Sequence, residues 1–140
     1  MKTISCVVVD DEPYAGNLLE EYIALVPYLH LEKKCLTALE ALGFLQNNSV
    51  DLIFLDINLP QLSGMQLAHI LPPQQKVIFT TAYTSYAVES YTINAIDYLL
   101  KPITFERFVK SVEKLHHLPG AGNGSTKSSR ATEQGSFFIK

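Results

Sequence analysis

Long apolar runs are missing from this chain: none approaches the roughly 20 residues needed to span a bilayer. An excess of positive charge is missing too. Eleven Lys and Arg face 14 Asp and Glu, giving a formal charge of −3 and a pI near 5.7. That balance leaves no electrostatic footprint for nucleic acid or an anionic membrane. Cysteine is scarce. Cys6 and Cys35 can pair only if neighbouring strands align them, and without an export signal two reduced, buried thiols are expected. The opening MKTISCVVV imitates a signal peptide, but the acidic DDE cluster cuts its apolar region short. A cytoplasmic location with no membrane contact is therefore expected. What remains is ordinary for a globular protein: 140 residues, 47% hydrophobic and 18% charged, enough for one domain with a real core.

Four short apolar runs each deliver a reactive polar group at their carboxyl end. CVVV leads into Asp10 and Asp11, LIFL into Asp56, VIFT into Thr81, and YLL into Lys101 and Pro102. Runs of this length between helical stretches read as buried parallel strands. The expected strands are Ile4 to Val9, Leu31 to Leu36, Asp51 to Leu55, Lys76 to Thr80 and Ala95 to Leu100. The second carries Glu32, Lys33 and Lys34, which suits an edge guarded against aggregation.

Helices fill the intervals. Pro13 opens the first, where its missing N–H costs nothing, and Pro27 ends it. Thr37 with Glu40 forms a capping-box pattern for the second. A short helix is expected from Gly64 to Leu71, a fourth around Ser85 to Thr92, and a last one capped by Thr104. The apolar face of that last helix is Phe105, Phe108, Val109, Val112 and Leu115. Five β–α units result. Pro119 to Ser136, rich in Gly, Ser and Thr, reads as a flexible linker. The Phe137-Phe138-Ile139 run after it reads as the first strand of a second domain, or alternatively as a tail packed on the core.

In an open α/β sheet, ligands bind beyond the carboxyl ends of the strands. Three carboxylates, a hydroxyl and an ammonium should therefore converge there. An Asp pair after one strand is commonly a helix cap, but Asp56 ending a second buried strand favours a site. Carboxylates so close repel one another, and a bound Mg²⁺ removes the conflict. Asp10 and Asp11 would position it, with Asp11 and Asp56 as direct ligands. Asp56 is the natural nucleophile, since carboxylates form aspartyl-phosphate intermediates. Thr81 and Lys101 can meet phosphoryl oxygens. A cis Lys101–Pro102 bond, costing only about 0.5–1 kcal/mol over trans, would turn Lys101 into the crevice.

Taken together and in order, VVVDDEP, LIFLDINLPQLSG, VIFTTAY and NAIDYLLKPI resemble the receiver domain of bacterial two-component response regulators. The resemblance implies a flavodoxin-like doubly wound (βα)5 sheet of order 2-1-3-4-5 over residues 1–118. Residues 119–136 would be the linker and 137–140 the start of a second domain. It implies that Asp56 is the phosphoacceptor and that Asp10, Asp11 and the backbone carbonyl of Asn58 help hold Mg²⁺. Thr81 and Lys101 would contact the phosphoryl group, and Tyr98 would be the switch aromatic that turns inward on activation. Asn58 and Tyr83, two residues after Asp56 and Thr81, would set how fast the acyl phosphate hydrolyses.

The stretch TTAYTSYAVESYTINAIDYLLKPI is most like receivers joined to a LytTR-type DNA-binding domain. The implied partners are a sensor histidine kinase, a second copy through the face of helix 4, strand 5 and helix 5, and DNA through the second domain only. The implied catalysis is limited to the receiver's own phosphorylation and dephosphorylation. A Mg²⁺-dependent aspartyl phosphohydrolase is the enzyme alternative, but it would want an acid or base where Asn58 stands. A flavodoxin-type FMN protein would want a Ser/Thr/Gly-rich loop where Asp10, Asp11 and Glu12 stand.

Overall fold

The computed structural model describes residues 3–83 and 95–116. Its elements in chain order are β1 (Ile4–Val9), α1 (Pro13–Leu25), β2 (Leu29–Cys35), α2 (Ala38–Asn47), β3 (Leu52–Asp56), α3 (Gly64–Ile70), β4 (Lys76–Thr81), β5 (Asp97–Leu100) and α4 (Phe105–His116). The helix expected around residues 85–92 and the tail from 117 onward lie outside the described residues. All four strand pairings are parallel, and the order is β2-β1-β3-β4-β5. That is the doubly wound order expected from the sequence.

Alternation along the strands divides the core in two. Val8, Phe54, Ile78 and Leu99 face Leu19 and Ile23 of α1 and Phe108 and Val112 of α4. Phe54 stacks on Phe108 with ring centroids 5.3 Å apart. On the other face Val9, Leu55 and Phe79 pack with Ala41 of α2 and Leu67 of α3. The middle stretches 6–9, 52–55 and 77–79 are apolar throughout because both faces are covered.

Local chemistry sets the element ends. Pro13 starts α1, and Val26 closes it by donating to Ile23. Thr37 Oγ1 accepts from Glu40 N at 3.0 Å, while Glu40 reaches back to Leu36 N at 2.9 Å. Thr104 Oγ1 accepts from Arg107 N at 3.2 Å. The capping box of Ser63 and Gln66 that opens α3 was not anticipated.

Four strands differ from expectation in their bounds. β2 begins at Leu29 rather than Leu31, because Leu29 is buried and pairs with Ile4. β5 begins at Asp97 rather than Ala95; Ile96 N meets Val77 O at 2.8 Å, and the paired register starts one residue later. β3 and β4 each run one residue further, so Asp56 and Thr81 are the last residues of their strands. Phe105, expected on the buried face of α4, lies at its rim and is 37% exposed, and Ser111 is buried instead. The cysteines are not cross-strand partners: Cys6 pairs with Leu31 and Cys35 with Val9, and both are free and buried.

Candidate functional site at the carboxyl rim of the sheet

The sheet register decides which polar groups meet. Val9 stands opposite Leu55, and Asp56 opposite Thr80. Asp10 therefore leaves β1 level with Asp56 on β3. Thr81 pairs with Leu100, and Lys101 N donates to Thr81 O at 2.7 Å. This places the Lys101 side chain over the same rim, and the Lys101–Pro102 peptide is cis.

The side chains converge. Lys101 Nζ lies 3.0 Å from Asp10 Oδ2 and 3.5 Å from Asp56 Oδ2, with Glu12 Oε1 at 3.8 Å. Asp10 and Asp56 are buried, whereas Asp11 is exposed. One carboxylate oxygen from each of Asp10, Asp11 and Asp56 lies within 4.8 Å of the others. Asp10 Oδ1 accepts from Glu12 N at 2.9 Å, and Asp56 Oδ1 accepts from Asn58 N at 3.1 Å. Asp10 Oδ2 is buried and has the Lys101 ion pair but no hydrogen bond of good geometry. Three clustered carboxylates, one with an unsatisfied buried oxygen, form a donor set suited to a hard divalent cation.

Burial, and then the Asp10 charge, push Asp56 up to about 6 although Lys101 and the Asn58 N–H oppose the shift. Burial works against the Lys101 charge, but Asp10, Asp56 and Glu12 outweigh it and hold the ammonium above its ordinary value. One fixed cation thus serves more negative charge than it can neutralise. A second cation, or a group that removes charge from Asp56, is electrostatically welcome.

Gly64 supports Asp56 from below. A Cβ at this position would lie 2.2 Å from the Asp56 carbonyl oxygen and 2.9 Å from Ile57 Cα, and Gly64 N donates to Ile57 O at 2.9 Å. Backbone meets backbone here, so even one methyl group forces a shift. Gly64→Ala should destabilise the fold by roughly 1–3 kcal/mol, as overpacking does, and should move Asp56 out of line with Lys101. Urea unfolding with the Asp56 carboxyl signal followed by NMR checks both effects; a variant of unchanged stability would contradict the contact. In the sequence Gly64 stands at the end of LIFLDINLPQLSG without an evident role of its own. A glycine as the first residue of a capped helix was the available signal.

The other expected residues lie around the rim. Thr81 is buried; its Oγ1 accepts from Tyr83 N at 3.0 Å and lies 3.5 Å from Asn58 Oδ1. Asn58 is exposed at the mouth, and Tyr83 is 57% exposed. Tyr98 is half-buried and stacked on Phe79, with centroids 5.1 Å apart. Glu12, in the sequence simply part of an acidic loop, adds a third carboxylate near Lys101. Among the described residues no helix is long and apolar enough to cross a membrane.

Known proteins resemble this chain in sequence and fold. The chain is 38% identical over 114 residues to an uncharacterized response regulatory protein of Vibrio cholerae, covering 80% of this chain and 48% of that protein. It is 33% identical over 114 residues to the transcriptional regulatory protein BtsR of Escherichia coli strain K12, with the same coverage of 80% and 48%. The chain thus spans about half the length of the curated relatives it matches. The crystal structure of the response regulatory domain of mrkE from Klebsiella pneumoniae superposes with a TM-score of 0.75 at 34% identity, over 81% of this chain and 96% of that one. Residues 6–113 match the response regulator receiver domain, and the chain belongs to that family.

Proposed function

We propose that this receiver is a phosphorylation switch in which Asp56 takes a phosphoryl group from the phosphohistidine of a sensor kinase. The observation that carries the reading is the Lys101 ammonium, 3.0 Å from Asp10 and 3.5 Å from Asp56 at the carboxyl rim of the sheet. In the transfer, an Asp56 carboxylate oxygen attacks phosphorus, the P–N bond breaks, and the imidazole nitrogen keeps the electron pair. Lys101 and the Thr81 hydroxyl meet the equatorial oxygens, where charge is spread in the transition state. Loss of the signal is attack by water in line with the acyl P–O bond, which releases phosphate and restores the carboxylate. Asn58 and Tyr83 flank the mouth through which that water must come.

Asp10, Asp11, Asp56 and the backbone carbonyl of Asn58 would hold a Mg²⁺ ion. When bound, the ion offsets carboxylate repulsion and neutralises phosphoryl charge. Asp11→Ala should leave the fold intact, weaken Mg²⁺ binding by about tenfold or more, and slow phosphorylation at limiting metal. Titration calorimetry giving equal Mg²⁺ affinity in wild type and variant would rule out the ligand role.

Phosphorylation adds about −1.5 to −2 charge and would draw Thr81 toward the phosphoryl oxygens. That opens room around Tyr98, on the strand beside Thr81. Reversing a 1:99 population needs about 5.5 kcal/mol of differential interaction, within reach of a few charge-assisted hydrogen bonds. The output we infer is a LytTR-type DNA-binding domain after the linker at 119–136, with pairing of two copies through the face that includes β5 and α4. Sedimentation with and without beryllofluoride reads the pairing; a strictly monomeric activated form of a longer chain would count against it.

A further inference from the structure

The loop that carries Lys101 is tied to the rest of the molecule at both ends. At its start, Lys101 N donates to Thr81 O on β4 at 2.7 Å. At its end, the Tyr22 hydroxyl donates to Ile103 O at 2.8 Å, across 81 residues of sequence. Tyr22 cannot swing freely away from that bond. Its ring lies 5.2 Å from the Phe105 ring and 5.4 Å from the Phe108 ring, centroid to centroid. Ile103 itself is buried, and Thr104 then caps α4.

The tie matters because of what else α1 holds. Glu12 is its N-cap and Pro13 its first residue, so the helix begins directly after Asp10 and Asp11. Tyr22 lies on that same rigid rod. Its hydroxyl therefore joins the element that follows the acidic pair to the loop that carries the ammonium. Separation between the two charge centres is fixed through α1 as well as through the sheet. Lys101 has a long, flexible stem, and a loop free to drift would let the ammonium follow either Asp10 or solvent.

We propose that Tyr22 is a positioning residue for phosphoryl transfer: it holds the Ile103 carbonyl so that the Lys101 ammonium stays between Asp10 and Asp56. This rests on the reading of Asp56 as phosphoacceptor. The residue acts through Lys101 and touches neither the phosphoryl group nor the metal site.

The test is a double-mutant cycle on the whole chain with Tyr22→Phe, Lys101→Met and the pair. Phenylalanine keeps the ring packing and removes only the hydroxyl. The rate of Asp56 labelling by phosphoramidate at saturating Mg²⁺ is followed by intact mass. Tyr22→Phe should slow the maximal rate by about three- to tenfold, the effect of one hydrogen bond. Its half-saturating Mg²⁺ should be unchanged. In the Lys101→Met background the same substitution should cost nothing further, because its route of action is gone. In the single variant the Lys101 side-chain Cε resonance should also move.

Equal slowing in both backgrounds would mean that Tyr22 serves general stability, and it overturns the inference. So does an unchanged rate with an unmoved Lys101 resonance. A wild type that takes up no phosphoryl group, or takes it elsewhere than Asp56, overturns the receiver chemistry and the inference with it. Labelled wild type with an additive cycle overturns the inference alone.

Discussion

Asparagine at position 56 should abolish phosphoryl uptake while leaving a folded and slightly more stable protein. The substitution keeps the shape of the side chain and removes the nucleophilic carboxylate. It also removes a charge that the fold tolerates poorly, since burial and Asp10 push Asp56 up to about 6. A carboxyl group whose folded-state value exceeds its unfolded value binds more protons when folded. Its ionisation therefore destabilises the fold as pH rises from about 4 to about 6. Wild type without Mg²⁺ should lose stability across that window, on the order of 1–3 kcal/mol, and Asp56→Asn should not. Melting curves of both proteins between pH 4 and 8 check the sign. Parallel curves would mean that the repulsion is relieved some other way.

Replacing Lys101 by Met is the second large effect. The ammonium is the fixed cation of the rim, its side chain 19% exposed beside the almost fully buried Asp10 and Asp56 carboxylates. Phosphorylation should slow by about a hundredfold, as expected when a preorganised charge is withdrawn from a phosphoryl-transfer site. Stability should fall as well, by a few kcal/mol at pH 8, because breaking a buried ion pair leaves uncompensated charge. The loss should shrink near pH 5. Without Lys101, Asp56 rises further above about 6, so it is protonated there and no longer repels Asp10. Mg²⁺ should restore more stability to the variant than to wild type, since it supplies the missing positive charge. Urea unfolding at both pH values, with and without the ion, measures this directly. An equal loss at pH 8 and pH 5 would show that Lys101 contributes packing rather than charge.

The buried central strands and the rim residues were legible because they depend on patterns local in sequence, whereas the full strand order followed from the family resemblance. An apolar run covered on both faces reveals a central strand, and the residue that ends the run is thereby placed at the rim. Asp56 and Thr81 were found this way although their strands end one residue later than expected. Contacts between distant elements were not legible. Tyr22 reaches the Ile103 carbonyl, and Tyr28 donates to Glu113 at 2.5 Å across 85 residues. Periodicity says that a tyrosine faces inward but not which carbonyl or carboxylate it will meet.

Asp97 was hidden in the same way. It reads as an ordinary strand residue, yet Arg107 grips it at 2.8 and 3.1 Å and Lys114 Nζ lies at 3.1 Å. Burial opposes its charge, but Arg107, the Tyr98 N–H and Lys114 prevail and hold it below the usual carboxylate range. This network ties the start of β5 to α4 beside Tyr98. Tyr98 is expected to turn inward on activation, and its stacking on Phe79 could not be read from the sequence because the strand pattern does not report a rotamer.

The central claim is that one carboxylate, Asp56, carries the signal, and mapping the modified residue tests it most directly. The whole chain is treated with phosphoramidate and Mg²⁺, weighed intact, reduced with borohydride and digested. An acyl phosphate is reduced at its carbonyl, so a phosphorylated aspartate becomes homoserine. The account predicts the added mass of one phosphoryl group and homoserine at position 56 alone, with no added mass when Mg²⁺ is chelated. Homoserine at position 10 or 11, or a mass that never changes, would contradict it.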